Sequence, residues 1–231
     1  MGNLSLGASS PDANLIGNGA LVEGDVALAG SGSATVNGGA QAVGTVYRKT
    51  GGTLTLNNGG VVTGGSVQNA STDSFLNQGV MDANNASNAA FALAASAGYP
   101  TTINANSSLT LSGSGTVVLK LTDFMLSSGA ALTLQGSATT TFIVNVSKKF
   151  SLSNGSRVQL AGGLLWDNVL FNVRGSGTAI VTGGSIFNGI LMANSRTVTV
   201  DNSSQVLGEV IANKVKINGS GKVKRPKKVS P

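Results

Sequence analysis

Short apolar segments separated by Gly, Asn and Ser recur along this chain at a nearly constant interval. Residues 181–194 align without a gap with a second copy at residues 200–213, at an offset of 19. The two copies are identical at Val181/Val200, Ser185/Ser204, Gly189/Gly208, Ala193/Ala212 and Asn194/Asn213. A fixed period of this size is typical of a β-solenoid, in which each repeat forms one coil and stacks on its neighbours.

A second group of repeats lies near the start of the chain. Residues 16–26 align with residues 36–46 at an offset of 20, and residues 56–67 form a third copy. Between the glycine corners the polarity alternates, as in residues 53–56, so we expect Leu to point inward and Thr outward. The pattern predicts a mainly β protein, a single right-handed β-solenoid of roughly ten coils spaced about 4.8 Å apart.

The period changes from that of strands to that of a helix at residues 72–98. Apolar residues, mostly Ala, recur there at steps of three and four. Thr72 or Asp73 is a suitable N-cap, Gly98 a suitable stop, and Pro100 follows it. We predict one long α-helix packed along a flank of the solenoid, because a face built from Ala can approach a flat sheet closely.

These patterns divide the chain into three parts. Residues 1–14 are a polar lead-in, residues 15–223 are the solenoid domain with the helix inserted, and residues 224–231 are a basic tail containing proline. Prolines and a run of charges oppose strand pairing in that tail. Since no coil is predicted before the one near Ile16, its sheet edge is expected to be open and to favour end-to-end stacking.

The absence of two residue types excludes several kinds of chemistry. The 231 residues contain no Cys and no His, so disulfides, Ser-His-Asp catalysis and His- or Cys-ligated zinc are ruled out. The net charge of +6 comes from the end of the chain, because residues 1–213 hold 8 basic and 9 acidic residues. No apolar run approaches the roughly 18 residues of a membrane-spanning helix. No signal peptide is present either, and we expect one to have been removed from an exported protein.

The carboxylates do not form a convincing catalytic pattern. Glu23 and Asp25 share one side of a predicted strand, whereas Asp123, Asp167, Asp201 and Glu209 are scattered singly. A glycosidase needs two carboxylates at a defined separation and usually aromatic platforms, for which only Trp166, Tyr47 and Tyr99 are available. The calcium-binding Gly-rich solenoid repeat is also missing. We therefore predict no enzyme activity, no cofactor and no metal, and keep a carbohydrate-active enzyme as the weaker alternative.

Two features together resemble known families. One is the segment at residues 14–27, and the other is the series formed by residues 168–173, 187–194 and 208–212. The chain resembles the bacterial choice-of-anchor A surface domains and, more distantly, the secreted ice-binding proteins, whose fold is a right-handed β-helix with a helix alongside. Both resemblances imply an exported protein, at the cell surface or outside the cell, that is not an enzyme.

The functional expectation from the sequence is a structural or adhesive surface solenoid. Such a protein would present flat faces to a surface polysaccharide, a matrix polymer or another copy of itself. The alternative is ice binding through a flat face that carries threonine. The candidate residues for that face are Thr53, Thr55, Thr139, Thr141, Thr197 and Thr199. No Thr-x-Thr stripe recurs coil after coil, and we expect Asp201, Gln205 and Lys216 to interrupt such a face.

The basic end of the chain is a separate candidate site. Its cations are Lys222, Lys224, Arg225, Lys227 and Lys228. A cluster of this kind can bind polyanions through simple electrostatics. No nucleic acid is expected, because the segment has no aromatic residue for base stacking.

Overall fold

The computed structural model describes residues 4–6, 14–30 and 33–226, which form 23 strands in one continuous sheet. The strands before the helix are β1 (Leu4–Leu6), β2 (Asn14–Ile16), β3 (Leu21–Val22), β4 (Val26–Leu28), β5 (Ala34–Val36), β6 (Gln41–Ala42), β7 (Val46–Arg48), β8 (Leu54–Leu56), β9 (Val61–Val62) and β10 (Ser66–Val67). Those after it are β11 (Ile103–Ala105), β12 (Leu109–Ser112), β13 (Thr116–Leu121), β14 (Phe124–Leu126), β15 (Ala131–Gln135), β16 (Thr141–Val146), β17 (Phe150–Leu152), β18 (Arg157–Ala161), β19 (Val169–Val173), β20 (Thr178–Val181), β21 (Ile186–Val200), β22 (Gln205–Ile217) and β23 (Lys222–Lys224). A short 3-10 turn spans Trp166–Asn168.

All of the strand pairs are parallel and stack in layers, so the predicted β-solenoid is confirmed. One column of Cα partners runs through β8, β5, β2, the end of β22, the end of β21, β20, β17, β14 and β11. This column defines nine layers among the described residues, and we number them from layer 1 at β8 to layer 9 at β11. Eight steps of about 4.8 Å make a stack of about 38 Å. That is shorter than ten coils would make, because the later coils use more residues than the repeats suggested.

The layers do not follow the order of the chain. The chain begins in layer 4, climbs through layers 3 and 2 to layer 1, and then crosses to layer 9 and descends to layer 4 again. Layer 4 is therefore composite: it contains β1, the end of β22, and β23. Ile16 pairs with Ile217 and Val22 with Val223, which closes the junction.

This order contradicts the expectation of an open edge near Ile16. The coil that holds Ile16 lies inside the stack, since the last strands of the chain cover its lower side. The edge without a following layer is instead at layer 1, where the side chain of Leu56 is 50% exposed. A local repeat pattern could not reveal this, because it records the spacing of coils and not which coils become neighbours.

The crossing from layer 1 to layer 9 is made by helix α1 (Ala70–Ala92). Its 23 residues give about 35 Å, which is close to the length of the stack. The predicted helix is thus confirmed, although it begins and ends earlier than the range 72–98. Asn69 is the N-cap, because its Oδ1 accepts a hydrogen bond from the Thr72 N–H at 2.8 Å. Leu93 already has extended backbone angles, which end the helix.

The interior is a ladder of stacked apolar side chains. Layers 6 to 8 contain five buried phenylalanines, Phe142 and a cluster of four: Phe124, Phe150, Phe171 and Phe187. Their rings meet mostly edge to face, with centroids 5.1 Å apart in the pair Phe171 and Phe187. Smaller residues such as Ala42, Ala40 and Val36 fill the narrower layers near β8. The core thus runs along the axis and leaves three outer faces for function.

Regular corners keep the faces in register. In layers 1 to 8 the chain turns between the first and second strand through two residues with positive φ, as at Asn18 (49°) and Gly19 (71°). Asn and Gly are the residues that adopt this conformation most easily. The corners are themselves hydrogen bonded to one another; for example, the Ser220 N–H donates to the Asn18 carbonyl at 2.9 Å. Equivalent strands of neighbouring layers therefore begin in register with one another.

Candidate functional site

The helix covers one of the three faces, which we call the helix face. Its outward column contains Val67, Tyr47, Ala27, Ile211, Met192, Asn172, Asn145 and Lys120. Leu76 of the helix is 2% exposed and packs with Ala27, Ala29 and Tyr47. Since α1 lies on this face along most of its length, it is not available as a flat surface.

The second face carries five threonines in its strands, and we call it the threonine face: Thr35, Thr55, Thr178, Thr197 and Thr199. Its central outward column contains, from layer 1 to layer 9, Thr55, Thr35, Leu15, Lys216, Thr199, Ile180, Ser151, Met125 and Asn104. Lys216 is the single charged residue in this column of described residues. Because all of the pairs are in register, the side chains are spaced at about 4.8 Å.

A second column borders the central one on the threonine face. Thr178, Thr197 and Lys214 are register partners in layers 6, 5 and 4. Ser33 and Thr53 occupy the equivalent place in layers 2 and 1, since the Ala34 N–H donates to the Thr53 carbonyl. Layer 4 therefore contributes two lysines, Lys214 and Lys216, between two threonine-bearing regions.

Four of the six predicted threonines come together on this face. Thr53 and Thr55 lie in layer 1, and Thr197 and Thr199 lie in layer 5, four steps or about 19 Å away. Thr35 and Thr178, which complete the columns, are not among the six candidates. Both could have been found from the repeat, because Thr35 aligns with Thr55 at an offset of 20 and Thr178 with Thr197 at an offset of 19.

The other two predicted threonines lie elsewhere. Thr139 is in a turn, where its hydroxyl lies 3.0 Å from that of Ser137. Thr141 is the first residue of β16, in the sheet of the helix face. The turn before β16 separates both from the threonine face, so a run of three threonines in the sequence does not extend that surface.

The third face has a mixed composition, and we call it the mixed face. Its first outward column contains Val61, Gln41, Leu21, Lys222, Gln205, Ile186, Arg157 and Ala131. Beside it, Lys224 Nζ lies 3.6 Å from Glu23 Oε1 in an ion pair. Charged and large apolar side chains alternate here, and the face is less uniform than the threonine face.

The predicted interruptions of a flat face are only partly observed. Lys216 does stand in the central column of the threonine face. Asp201 lies at the corner that follows β21, and Gln205 lies on the mixed face. Residues only four positions apart thus belong to different faces, because the corner turns the chain between them.

The basic cluster does not form a single free segment. Lys222 and Lys224 belong to strand β23, and Arg225 follows it and is exposed. Lys227 and Lys228 lie outside the described residues. As a polyanion site this set stays a prediction.

The carboxylates are distributed over separate coils. Glu23 pairs with Lys224, and Asp25 Oδ1 accepts a hydrogen bond from the Thr45 N–H at 3.0 Å. Across the described ranges, no group of three or more metal-ligating side chains is close enough to hold an ion. Within the described ranges, no helix combines the length and the apolar character needed to cross a membrane.

Comparison with known proteins gives the family. Residues 12–221 match the family model described as Ice-binding-like. The chain belongs to the Ice-binding-like family. A curated relative in this comparison, the ice-binding protein of Flammulina populicola, is 39% identical over 83 residues. That match covers 36% of this chain and 32% of the relative, so the chain aligns with about a third of the relative's length.

Solved structures of ice-binding proteins share the fold. An ice-binding protein from the Antarctic ascomycete Antarctomyces psychrotrophicus superimposes with a TM-score of 0.56 at 20% identity, covering 95% of this chain and 94% of that chain. An ice-binding protein from an Arctic yeast gives 0.54 at 18% identity, covering 99% and 91%. A third, from an Antarctic Flavobacteriaceae bacterium, gives 0.52 at 17% identity, covering 98% of this chain and 51% of that one.

These findings correct the main functional expectation. The interpretation as a structural or adhesive surface solenoid is wrong, because the family match and the relatives favour the ice-binding alternative. The composition alone could not separate the two, since both need the same exported, charge-poor solenoid. The more distant of the two resemblances is supported, whereas that to choice-of-anchor A domains stays a prediction.

Proposed function

We propose that this protein binds ice through the threonine face. The observation that carries the proposal is the central column of that face, in which nine outward side chains stand in register with a single charge among them. Membership of the Ice-binding-like family supports it, and so do the relatives that are named ice-binding proteins. An extracellular place of action follows from this function, since ice grows outside the cell.

The chemistry of the face suits the ordering of water. Each outward Thr offers a hydroxyl that donates and accepts hydrogen bonds, beside a methyl group that does not. β-branched side chains are stiff at χ1, so a strand holds the hydroxyls in fixed positions. Side chains repeated at about 4.8 Å give water a rigid template. Because folding has already ordered these side chains, binding adds little further loss of conformational entropy.

The alternative faces suit ice less well. The helix covers one of them, and the mixed face presents an ion pair and long, flexible side chains such as Arg157 and Lys222. Charged groups orient their own hydration shells strongly, which opposes an ice-like arrangement. We place the contact on layers 1 to 5, which hold the four predicted threonines of this face.

The proposal is tested by thermal hysteresis and by the shape of ice crystals grown in the purified protein. Thr199→Tyr adds a bulky ring to the threonine face. It is expected to lower the hysteresis at least about twofold, because the ring stands out from the face and holds the neighbouring threonines away from the ice surface. Gln205→Tyr is the matched control, since Gln205 points outward from the mixed face of the same layer 5.

A gain-of-function variant sharpens the test. Lys216→Thr removes the charge between Leu15 and Thr199 and is expected to raise the hysteresis. Rounded, freely growing crystals in the wild-type protein would reject ice binding. If Gln205→Tyr lost thermal hysteresis and Thr199→Tyr kept it, the ice contact would lie on the mixed face.

A further inference from the structure

A cavity of about 550 Å³ lies at a corner of the solenoid, between the helix face and the threonine face. It crosses layers 6 to 8 and is lined by side chains from three coils. Its floor includes Met125, Phe150 and Ile180, and its wall is formed by residues 147–149 and 175–177. Its volume is in the range of small-molecule sites, which is about 300 to 1,000 Å³.

The cavity exists because the corners are longer at this height. Val181 pairs with Val200 at an offset of 19 along the chain, whereas Phe124 pairs with Phe150 at an offset of 26. Part of this extra length forms the corner turn that carries Ser147, Lys148 and Lys149. A second turn, with Gly175 and Gly177 at φ values of 90° and 92°, forms the adjacent wall. Both turns line the cavity.

Three cations line the cavity. Lys148 and Lys149 are exposed on the first turn, while Arg196 is 4% exposed at the base of the second. The Arg196 guanidinium donates four hydrogen bonds to backbone carbonyls. Nε donates to Gly177 at 3.0 Å, Nη1 to Lys148 at 2.7 Å and Arg174 at 3.0 Å, and Nη2 to Ser176 at 2.7 Å.

These contacts fix the guanidinium but do not neutralise it. Among the described residues none of the three cations forms an ion pair with a carboxylate. Asp123 is close to the rim, where its Oδ1 accepts a hydrogen bond from the Lys149 N–H at 3.0 Å. Burial lowers the pKa of Arg196, as expected for a charge removed from water without an opposite charge beside it. The cavity thus has an excess of positive charge.

We infer that this cavity binds an acidic sugar residue through its carboxylate or sulfate group. Two exposed lysines and a buried arginine favour an oxyanion. The half-buried side chains of Met125 and Ile180 provide an apolar surface against which the C–H face of a sugar ring packs. Met125 and Ile180 belong to the central column of the threonine face in layers 8 and 6, but neither contact uses the threonines of layers 1 to 5, where we place the ice contact.

The test compares cellobiouronic acid with cellobiose, which differ by a carboxylate. Binding is followed by chemical-shift changes in the full-length protein at low salt. The acid is expected to shift the amides around residues 147–151 and 175–178 and to bind at least about tenfold more tightly than cellobiose, which corresponds to about 1.4 kcal/mol. Sodium sulfate serves as the free-anion probe and is expected to bind more weakly than the acid disaccharide.

The double variant Lys148→Ser/Lys149→Ser is expected to lose at least about tenfold in affinity for the acid. Lys214→Ser/Lys216→Ser is the matched control, because it removes two lysines from layer 4 and leaves the cavity intact. The inference is overturned by equal binding of cellobiose, by sulfate binding as tightly as the acid, or by unchanged affinity in the Lys148/Lys149 variant. Thermal hysteresis is measured in the same Lys148→Ser/Lys149→Ser variant. Hysteresis that is retained there distinguishes a failure of the acidic-sugar site from a failure of ice binding.

Discussion

Glu209 lies under the helix, where a negative charge on its side chain has little electrostatic compensation. It stands in register with Ile190 and lines a cavity of about 320 Å³ together with Leu76, Met192 and the carboxyl-bearing Asp82. No lysine or arginine lines this cavity. Burial raises the pKa of Glu209 to about 7. The folded protein therefore holds a proton on Glu209 at pH values where the unfolded chain has lost it.

This difference makes stability depend on pH. A glutamate in the unfolded chain titrates near 4.3, so between about pH 4.3 and 7 the folded state binds more protons than the unfolded state. The contribution of Glu209 is then fully favourable below about pH 4 and falls by on the order of 3 kcal/mol as the pH rises to 7. Urea unfolding from pH 4.5 to 8 measures it against Glu209→Gln, which cannot ionise.

We expect the free energy of unfolding of Glu209→Gln, relative to the wild type, to rise steadily over this range. A constant difference between the two proteins would show that Glu209 titrates normally in the folded state.

At the scale of elements, buried amides hold the helix to the sheet. Asn172 Nδ2 donates to the Ser87 carbonyl at 2.9 Å and to Asn145 Oδ1 at 2.8 Å. Its Oδ1 accepts from the Ser87 hydroxyl at 2.7 Å, and Asn145 Nδ2 donates to the Ala90 carbonyl at 2.8 Å. Asn145 and Asn172 are each 1% exposed. Because the apolar face of α1 is small, this network determines where the helix sits.

Asn172→Leu keeps the approximate volume and removes every one of these bonds made by Asn172. It leaves the Ser87 hydroxyl and Asn145 Oδ1 buried without partners, so we expect a loss of about 2 to 4 kcal/mol. The control is Asn84→Ala, which removes an exposed hydrogen bond to Asn194 and should change stability by less than about 0.5 kcal/mol. Equal urea midpoints for the two variants would contradict a structural role for the network.

The sequence predicted the elements better than their arrangement. The strands followed from alternation in segments such as residues 53–56, and α1 from its steps of three and four residues. The sequence predicts only part of the threonine face, because Thr55 and Thr199 are candidates whereas Thr35 and Thr178 are not. The cavity at Arg196 could not be predicted from the sequence, since it is formed by two turns that come together only in the folded protein.

At the scale of the whole molecule, the composite layer 4 joins two stacks into one. Val223 of β23 lies between Val22 of layer 3 and Val206 of layer 5 and is 4% exposed. Val62 occupies the same column in layer 1, where no described layer covers its outer side. The same residue type is thus present at the junction and at the end of the stack.

Val223→Ala is expected to cost about 2 kcal/mol, because it leaves a space between two layers. Val62→Ala should cost less than about 1 kcal/mol, since Val62 is only partly buried. Calorimetry should show a single transition in both variants, because layer 4 couples the two stacks. Two separate transitions in the wild-type protein would show that the stacks unfold independently.

The composite layer also has a consequence for how the chain acquires its structure. Layers 1 to 3 are synthesised first and β1 covers β4, but the lower edges of β2 and β3 in layer 3 are covered only when residues 215–224 arrive. Pairs such as Val22 and Val223 join residues about 200 positions apart, so the contact order is high and folding is expected to be slow. Until then the nascent protein carries an exposed parallel edge, which other chains can pair with. We therefore expect that faster pairing of the last coil reduces aggregation during synthesis more than stabilisation of any other coil does.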